Sequence, residues 1–205
     1  MKKLAFLLTF YLASQTSFAQ EVYFYTGKNF TTYDYKNSSG ATNSNLKNGT
    51  GNFYELGYSQ PLSNEKINIH LGLALNEYNS VGGNNTNSYS WNTQYLGIQS
   101  HLSYSLIDRR KSYDILPHIG INSGTIISGK QTINGTYFDL TKEKEFSGLL
   151  ATPSVGIQVK YNLAAAGYIS LGYDYCKGFN LSNSTTQKLG FSTHQLQFGI
   201  HYVIK

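Results

Sequence analysis

The chain has 205 residues, a single cysteine, 13% charged side chains and a formal net charge of +5. That length suits one domain, and with its only dense basic cluster at "DRRK" (108–111) it offers no stripe for a nucleic-acid partner. One cysteine rules out a disulfide-stapled scaffold, and no stretch beyond the N-terminus approaches about 18 consecutive apolar residues, which excludes a helical membrane span.

The chain begins "MKKLAFLLTFYLASQTSFAQ". Lys2 and Lys3 precede a short apolar run from Leu4 to Ala13, and Ser17-Phe18-Ala19 has the small-x-small form of a cleavage site. This order predicts a secretory signal peptide over 1–19, leaving 20–205 as the mature domain. Removing Lys2 and Lys3 takes the formal charge from +5 to +3.

Eight segments then alternate with period two, the mark of strands with two unlike faces. The first is "EVYFYTGKNF" (21–30). In "FYELGYS", Tyr54, Leu56 and Tyr58 share a face opposite Glu55. "INIHLGLALNEY" sets Ile69, Leu71 and Leu73 against Asn68 and His70. "YLGIQSHLSYSL" sets Leu96, Ile98, Leu102 and Tyr104 against Gln99 and His101, and "YDILPHIGI" sets Tyr113, Ile115 and Ile119 against Asp114 and His118. In "TPSVGIQVKY", Val155, Ile157, Val159 and Tyr161 oppose Gln158 and Lys160. "YISLGYDY" places Leu171 and Tyr173 opposite Asp174, and "QLQFGIHYVIK" places Leu196, Phe198, Ile200 and Tyr202 opposite Gln197 and His201.

The connections alternate as well. Three are short ("QPLSNEK", "IDRRKS", "NLAAAG"), and four are long and rich in Asn, Ser, Gly and Thr: roughly 31–50, 79–90, 128–146 and 178–190. A soluble sandwich has no reason to sort its loops by end. The pattern predicts an all-β fold: an eight-stranded antiparallel up-and-down transmembrane barrel with short periplasmic turns and long extracellular loops. Tyr58, Tyr104, Tyr113, Tyr161 and Tyr202 lie at the short-turn ends of apolar faces, as an aromatic girdle would.

Gln197, Gly199, Tyr202 and Ile204 in the last segment resemble the C-terminal signal that the outer-membrane assembly machinery reads. Over nearly the whole mature length the chain resembles the OmpA/OmpX-like superfamily of small outer-membrane barrels, and the "AQ" ending of its leader with Tyr- and Asn-rich loops resembles the Bacteroidota versions. The resemblance implies a bacterial outer-membrane location, with membrane lipids, lipopolysaccharide and the assembly machinery as partners. Where many members end on Phe, this chain ends Ile204-Lys205.

An eight-stranded barrel is narrow enough to be filled by side chains. The inward parity collects Glu55, His70, His101, Asp114, His118, Lys160, Asp174 and His201, expected to form a polar network in which Glu55, Asp114 or Asp174 neutralises Lys160. Four histidines near one end could in principle hold a metal, yet no spacing supports a ligand set, and no cofactor is expected. Barrels similar to this one include lipid A-modifying enzymes. Here the lipid-facing parity offers His194 and Ser192 without an obvious carboxylate, so no catalytic set is assigned. The function expected is a structural, surface-interaction or adhesion role carried by the long loops, through Tyr33, Tyr35, Tyr89, Trp91, Tyr137 and Phe138 and a surface or envelope partner. The alternatives are a narrow pore for ions or small solutes, or a lipid A-modifying enzyme.

Overall fold

The computed structural model describes residues 20–36, 46–62, 66–83, 88–107, 112–144, 146–163, 167–181 and 188–204. The expected leader, 1–19, lies outside them, as do the tips of three long connections and of the short turns. Among the described residues there are nine strands: β1 Gln20–Lys36, β2 Leu46–Pro61, β3 Ile67–Gly83, β4 Ser88–Tyr104, β5 Tyr113–Ile133, β6 Thr136–Asp139, β7 Leu150–Asn162, β8 Tyr168–Asn180 and β9 Lys188–Ile204. All are paired antiparallel to their neighbours, and the β4–β5 pairing together with β1–β9 closes eight of them into a barrel. The ninth, β6, folds back only on the far end of β5.

The tilt follows from the register. From Leu116 on β5, directly paired residues run through Gln158, Gly172, Gln197, Gly27, Phe53, Asn76 and Tyr95 to Ile126, back on β5. The path thus returns ten residues further along the strand, from 116 to 126. With strands about 4.8 Å apart and a rise of about 3.3 Å per residue, a shear of that size in eight strands tilts each by about 40°. That lies inside the usual range for membrane barrels.

The two faces are inverted relative to a soluble protein. Leu56, Leu73, Ile98, Ile119 and Leu171 point outward and are 57–67% exposed, whereas Glu55, Asp174 and His201 point inward and are at most 1% exposed. Every stave contributes to the apolar belt, so the exposed band runs around the whole circumference. An apolar surface of that extent is the face of a protein dissolved in lipid. Tyr104, Tyr113, Tyr161 and Tyr202 sit outward at its short-turn margin, as the parity predicts.

The long connections are shorter than the composition suggests. β1 stays paired with β9 out to Lys36, and β3 with β4 out to Gly83, straight through segments read from the sequence as loops. Asn and Gly are weak strand formers by themselves. Here small polar side chains point into the lumen and bond one another, as Thr31 does with Thr193.

The segment 128–146 departs furthest from expectation. It contains the end of β5, a two-residue turn and β6. Asn134 (φ 47°) and Gly135 (φ 84°) carry the positive φ pair that a tight type I′ hairpin demands, which is what an Asn-Gly dipeptide supplies. Beyond β6 the chain folds over the barrel mouth and buries Leu140 and Phe146 in it.

If this inside-out parity is right, Leu73→Arg should lower barrel stability by about 2–4 kcal/mol, measured by denaturant unfolding in lipid bilayers. Wild-type stability for that variant would contradict the assignment of faces.

Candidate functional site

The lumen is layered. At the short-turn end, Lys160 on β7 reaches across to Glu21 on β1, Nζ donating to Oε2 at 2.5 Å, and lies 4.3 Å from the centre of the Tyr168 ring. His201 Nδ1 is 3.4 Å from the same Glu21 oxygen, and its Nε2 is 2.9 Å from Ser170 Oγ. A cavity of about 40 Å³ sits here among Glu21, Ser59, His70, Asp114, Lys160 and Tyr168. Asp114 does not stand idle: it accepts from the Ser105 hydroxyl at 2.5 Å and from the amides of Ile107 and Ile115.

The next layer is a chain of buried groups. The Tyr23 hydroxyl donates to Glu55 Oε1 at 2.6 Å, and Glu55 Oε2 lies 3.6 Å from His101 Nε2. The His101 ring stands edge-on to both His70 and His118, with centroids 6.2 and 5.5 Å apart. His118 Nε2 is 2.6 Å from Asp174 Oδ1, its Nδ1 faces the Leu116 carbonyl, and Gln197 Nε2 donates to Asp174 Oδ2 at 2.9 Å. A cavity of about 10 Å³ between the His70, His101 and His118 rings has room for about one water.

Gly199 makes this layer possible. A Cβ there would collide with the Tyr25 ring and the Ser170 hydroxyl.

All eight residues expected to line the lumen do so: Glu55, His70, His101, Asp114, His118, Lys160, Asp174 and His201. Two details differ. Lys160 was expected to be neutralised by Glu55, Asp114 or Asp174, and the carboxylate bonded to it is Glu21. In "EVYFYTGKNF" aromatic and aliphatic residues occupy both faces, which hid the inward parity of Glu21, Tyr23 and Tyr25. His118 pairs in register with Ser103, so His101 meets it on the diagonal, and its direct partner is His70. Among the described residues, no group of three or more His, Cys, Asp or Glu side chains is placed to hold a metal ion.

The far end of the lumen is closed by aromatic rings. Tyr33, Tyr78, Tyr95, Phe146 and Phe191 pack with Leu140 and Leu150 into a buried cluster, with Tyr78 and Phe191 centroids 4.3 Å apart. Their polar ends are held: Tyr33 donates to the Tyr78 carbonyl at 3.0 Å, and Tyr95 to the Phe146 carbonyl at 3.3 Å. Gly178 leaves the space that the Phe191 ring fills.

Of the six aromatics assigned to loops, Tyr33 belongs to β1 and is buried in this stopper. Trp91 on β4 is packed against it, with Tyr89 edge-on to Trp91. Tyr35 is also on β1, though its side chain lies outside the described residues. Among the described side chains of this set, only Tyr137 and Phe138, on β6, stand exposed, with Lys130 Nζ 3.8 Å above the Tyr137 ring. For Tyr33, Tyr89 and Trp91, Asn, Ser and Gly neighbours mask a period-two pattern that continues to the strand ends.

On the outer wall, His194 Nδ1 is 2.6 Å from the Tyr173 hydroxyl, and the Tyr175 hydroxyl donates to Ser192 at 3.4 Å. The imidazole is therefore bonded to a phenol at Nδ1, where a hydrolytic triad would place a carboxylate.

No protein-family model matches the chain, and no curated protein sequence matches it. Among solved structures it is similar to the outer membrane protein OprG of Pseudomonas aeruginosa, with a TM-score of 0.50 and 12% identity over 90% of this chain and 97% of that one. It is also similar to the outer membrane protease OmpT of Escherichia coli (0.46; 9% identity; 93% and 99% covered). A third is Ail of Yersinia pestis, the attachment invasion locus protein, solved with the heparin analogue sucrose octasulfate (0.44; 11%; 89% and 99%). The likeness to OprG establishes the fold: the chain has the architecture of a small outer-membrane β-barrel.

Removing one member of the buried lumen network should be costly. Asp174→Ala strips the partner from His118 and Gln197 at once and should destabilise the barrel by about 3–5 kcal/mol in a denaturant titration. A loss below about 1 kcal/mol would show that these groups are not held as described.

Proposed function

We propose that the chain is an exported outer-membrane barrel, released from residues 1–19, that works with a closed lumen and acts through its outer end in surface interaction or adhesion. The observation that carries this reading is the stopper. Seven apolar side chains, two of them delivered by the β6–β7 connection, fill the outer mouth above a lumen already occupied by hydrogen-bonded polar groups. The two cavities described above, beneath it, hold a few waters at most. Such packing supports a scaffold better than a pore.

Among the described residues, what stays available on that end is the β5–β6 hairpin. It presents Tyr137 and Phe138 on β6, the arm that a two-residue turn pairs with β5, a low-entropy way to offer aromatic contact area to a partner. The other partners follow from location. Membrane lipids and lipopolysaccharide would surround the apolar belt, and the assembly machinery would read Gln197, Gly199, Tyr202 and Ile204 on the strand that closes the barrel. The chain is read as a non-enzyme, with no catalytic residues assigned.

The test pairs two measurements on one set of proteins. Wild type in planar bilayers should show no stable conductance. Cells displaying Tyr137→Ala/Phe138→Ala should lose attachment to host-cell monolayers or to one another, while the variant keeps the heat-modifiable gel mobility of a folded barrel. A steady wild-type conductance combined with undiminished attachment by the variant would overturn the proposal in favour of a pore.

A further inference from the structure

The lipid-facing wall carries an arrangement that neither closure nor packing requires. Lys28 on β1, His194 on β9 and Lys177 on β8 all point outward and are exposed. Lys28 pairs in register with Leu196, two residues below His194, and His194 pairs with Tyr175, two residues below Lys177. The three therefore lie along one diagonal of three adjacent staves.

Strand tilt turns that diagonal into a level row. Crossing from β1 to β9, and again from β9 to β8, the perpendicular register drops toward the short-turn end by about 3 Å per strand, for strands about 4.8 Å apart tilted by about 40°. Moving two residues along the strand recovers about 5 Å at that tilt. Each step thus rises by only about 2 Å while advancing along the circumference. Three cationic or protonatable side chains share one depth.

That depth is the upper edge of the apolar belt. Eight residues separate His194 from Tyr202 in the lower girdle, a span of about 20 Å at this tilt, against an apolar band of about 25 Å in barrels of this kind. A lysine on the lipid-facing wall is costly at the midplane and nearly neutral at the interface, so Lys28 and Lys177 place the headgroup layer at their own level. Neither lysine makes an ion pair among the described residues: Lys28 donates to the neutral Asn52 amide at 2.6 Å, and Lys177 lies 5.9 Å from the Phe179 ring. Acidic groups nearby are Glu77, whose carboxylate accepts from the Asn52 amides, and Asp34, on β1 beyond Thr32. Between the cations lie hydroxyl donors, Tyr175 and Ser192, and the Tyr173 hydroxyl fixes the imidazole ring.

We infer that Lys28, His194 and Lys177 form a ledge on the outer wall of β1, β9 and β8 that binds a membrane lipid whose saccharide headgroup carries two phosphates. Two strand diagonals of about 7–8 Å each separate the end cations, too far for one phosphate and suited to two groups held apart by sugar rings. The hydroxyls between them face where those sugars would lie. Net positive charge at this level attracts anionic headgroups.

Native mass spectrometry of the folded, full mature chain in detergent tests this, with bisphosphorylated lipid A added and its chemically dephosphorylated form as the control. The wild type should retain the phosphorylated lipid at least about tenfold better than the dephosphorylated one. Lys28→Gln/Lys177→Gln should remove that preference, Lys28→Arg/Lys177→Arg should restore it, and Lys130→Gln, on the β5–β6 hairpin, should leave it intact. Inorganic phosphate at millimolar concentration should not compete, because the acyl chains anchor the ligand. If the double Gln variant does not fold, the single variants Lys28→Gln and His194→Gln, each lowering the preference about threefold, serve in its place. Equal retention of both lipids by the wild type, or an undiminished preference in the Gln variants, would overturn the inference. Stronger retention of phosphatidylglycerol than of the bisphosphorylated lipid would overturn it as well.

Discussion

Within hydrocarbon no solvent is at hand for an unpaired amide or carbonyl, so a sheet can cross a membrane only if its first and last strands pair with each other. The ladder between β1 and β9, running from Gln20 and Ile204 to Lys36 and Lys188, meets that demand here. Once it is closed, everything else is constrained. Ten residues of shear over eight staves set the tilt and a bore too narrow for a water channel, and strict alternation sends every second side chain into that bore. The residues that must go inside have to satisfy one another, helped only by the few waters that the small cavities can hold.

Two different solutions fill the bore, one at each end of its axis. At the short-turn end, charges and imidazoles bridge staves that are not neighbours, as Lys160 and Glu21 do across the lumen. At the other end, tyrosine and phenylalanine rings interlock, and the chain beyond β6 supplies the last pieces. The polar layers tie the staves together, while the aromatic layer excludes water from the outer mouth. A barrel built this way uses its interior to hold shape, and among the described residues the proposed contacts with other molecules rest on its outer wall and the β5–β6 hairpin.

The sequence reveals most where the two faces differ most in polarity. "INIHLGLALNEY" alternates between aliphatic and polar or small residues, so the outward Leu71 and Leu73 and the inward His70 could be read directly. β1 was harder, because Val22 and Phe24 outside and Tyr23 and Tyr25 inside are all apolar or aromatic, and Glu21 went unassigned as a result. The strand ends near the long connections were hidden by composition. Tyr33 and Trp91 keep their inward parity, but neighbours such as Asn, Ser and Gly suggested loops, and no local signal shows that Phe146 returns to the mouth. The Asn134-Gly135 dipeptide was a legible hairpin signal that the compositional reading passed over. The ledge at Lys28, His194 and Lys177 cannot be seen in the sequence at all, since it exists only once the register and tilt align three distant residues.

The most direct test of the account is the closing register itself. In a Cys176→Ser background, Phe24→Cys/Ile200→Cys joins residues that face each other across β1 and β9, and the pair should oxidise readily in the folded barrel and lock it against heat unfolding on a gel. Phe24→Cys/Phe198→Cys, displaced by two residues, should oxidise poorly. Equal or reversed crosslinking of the two pairs would contradict the closed register on which the lumen network, the stopper and the outer wall all depend.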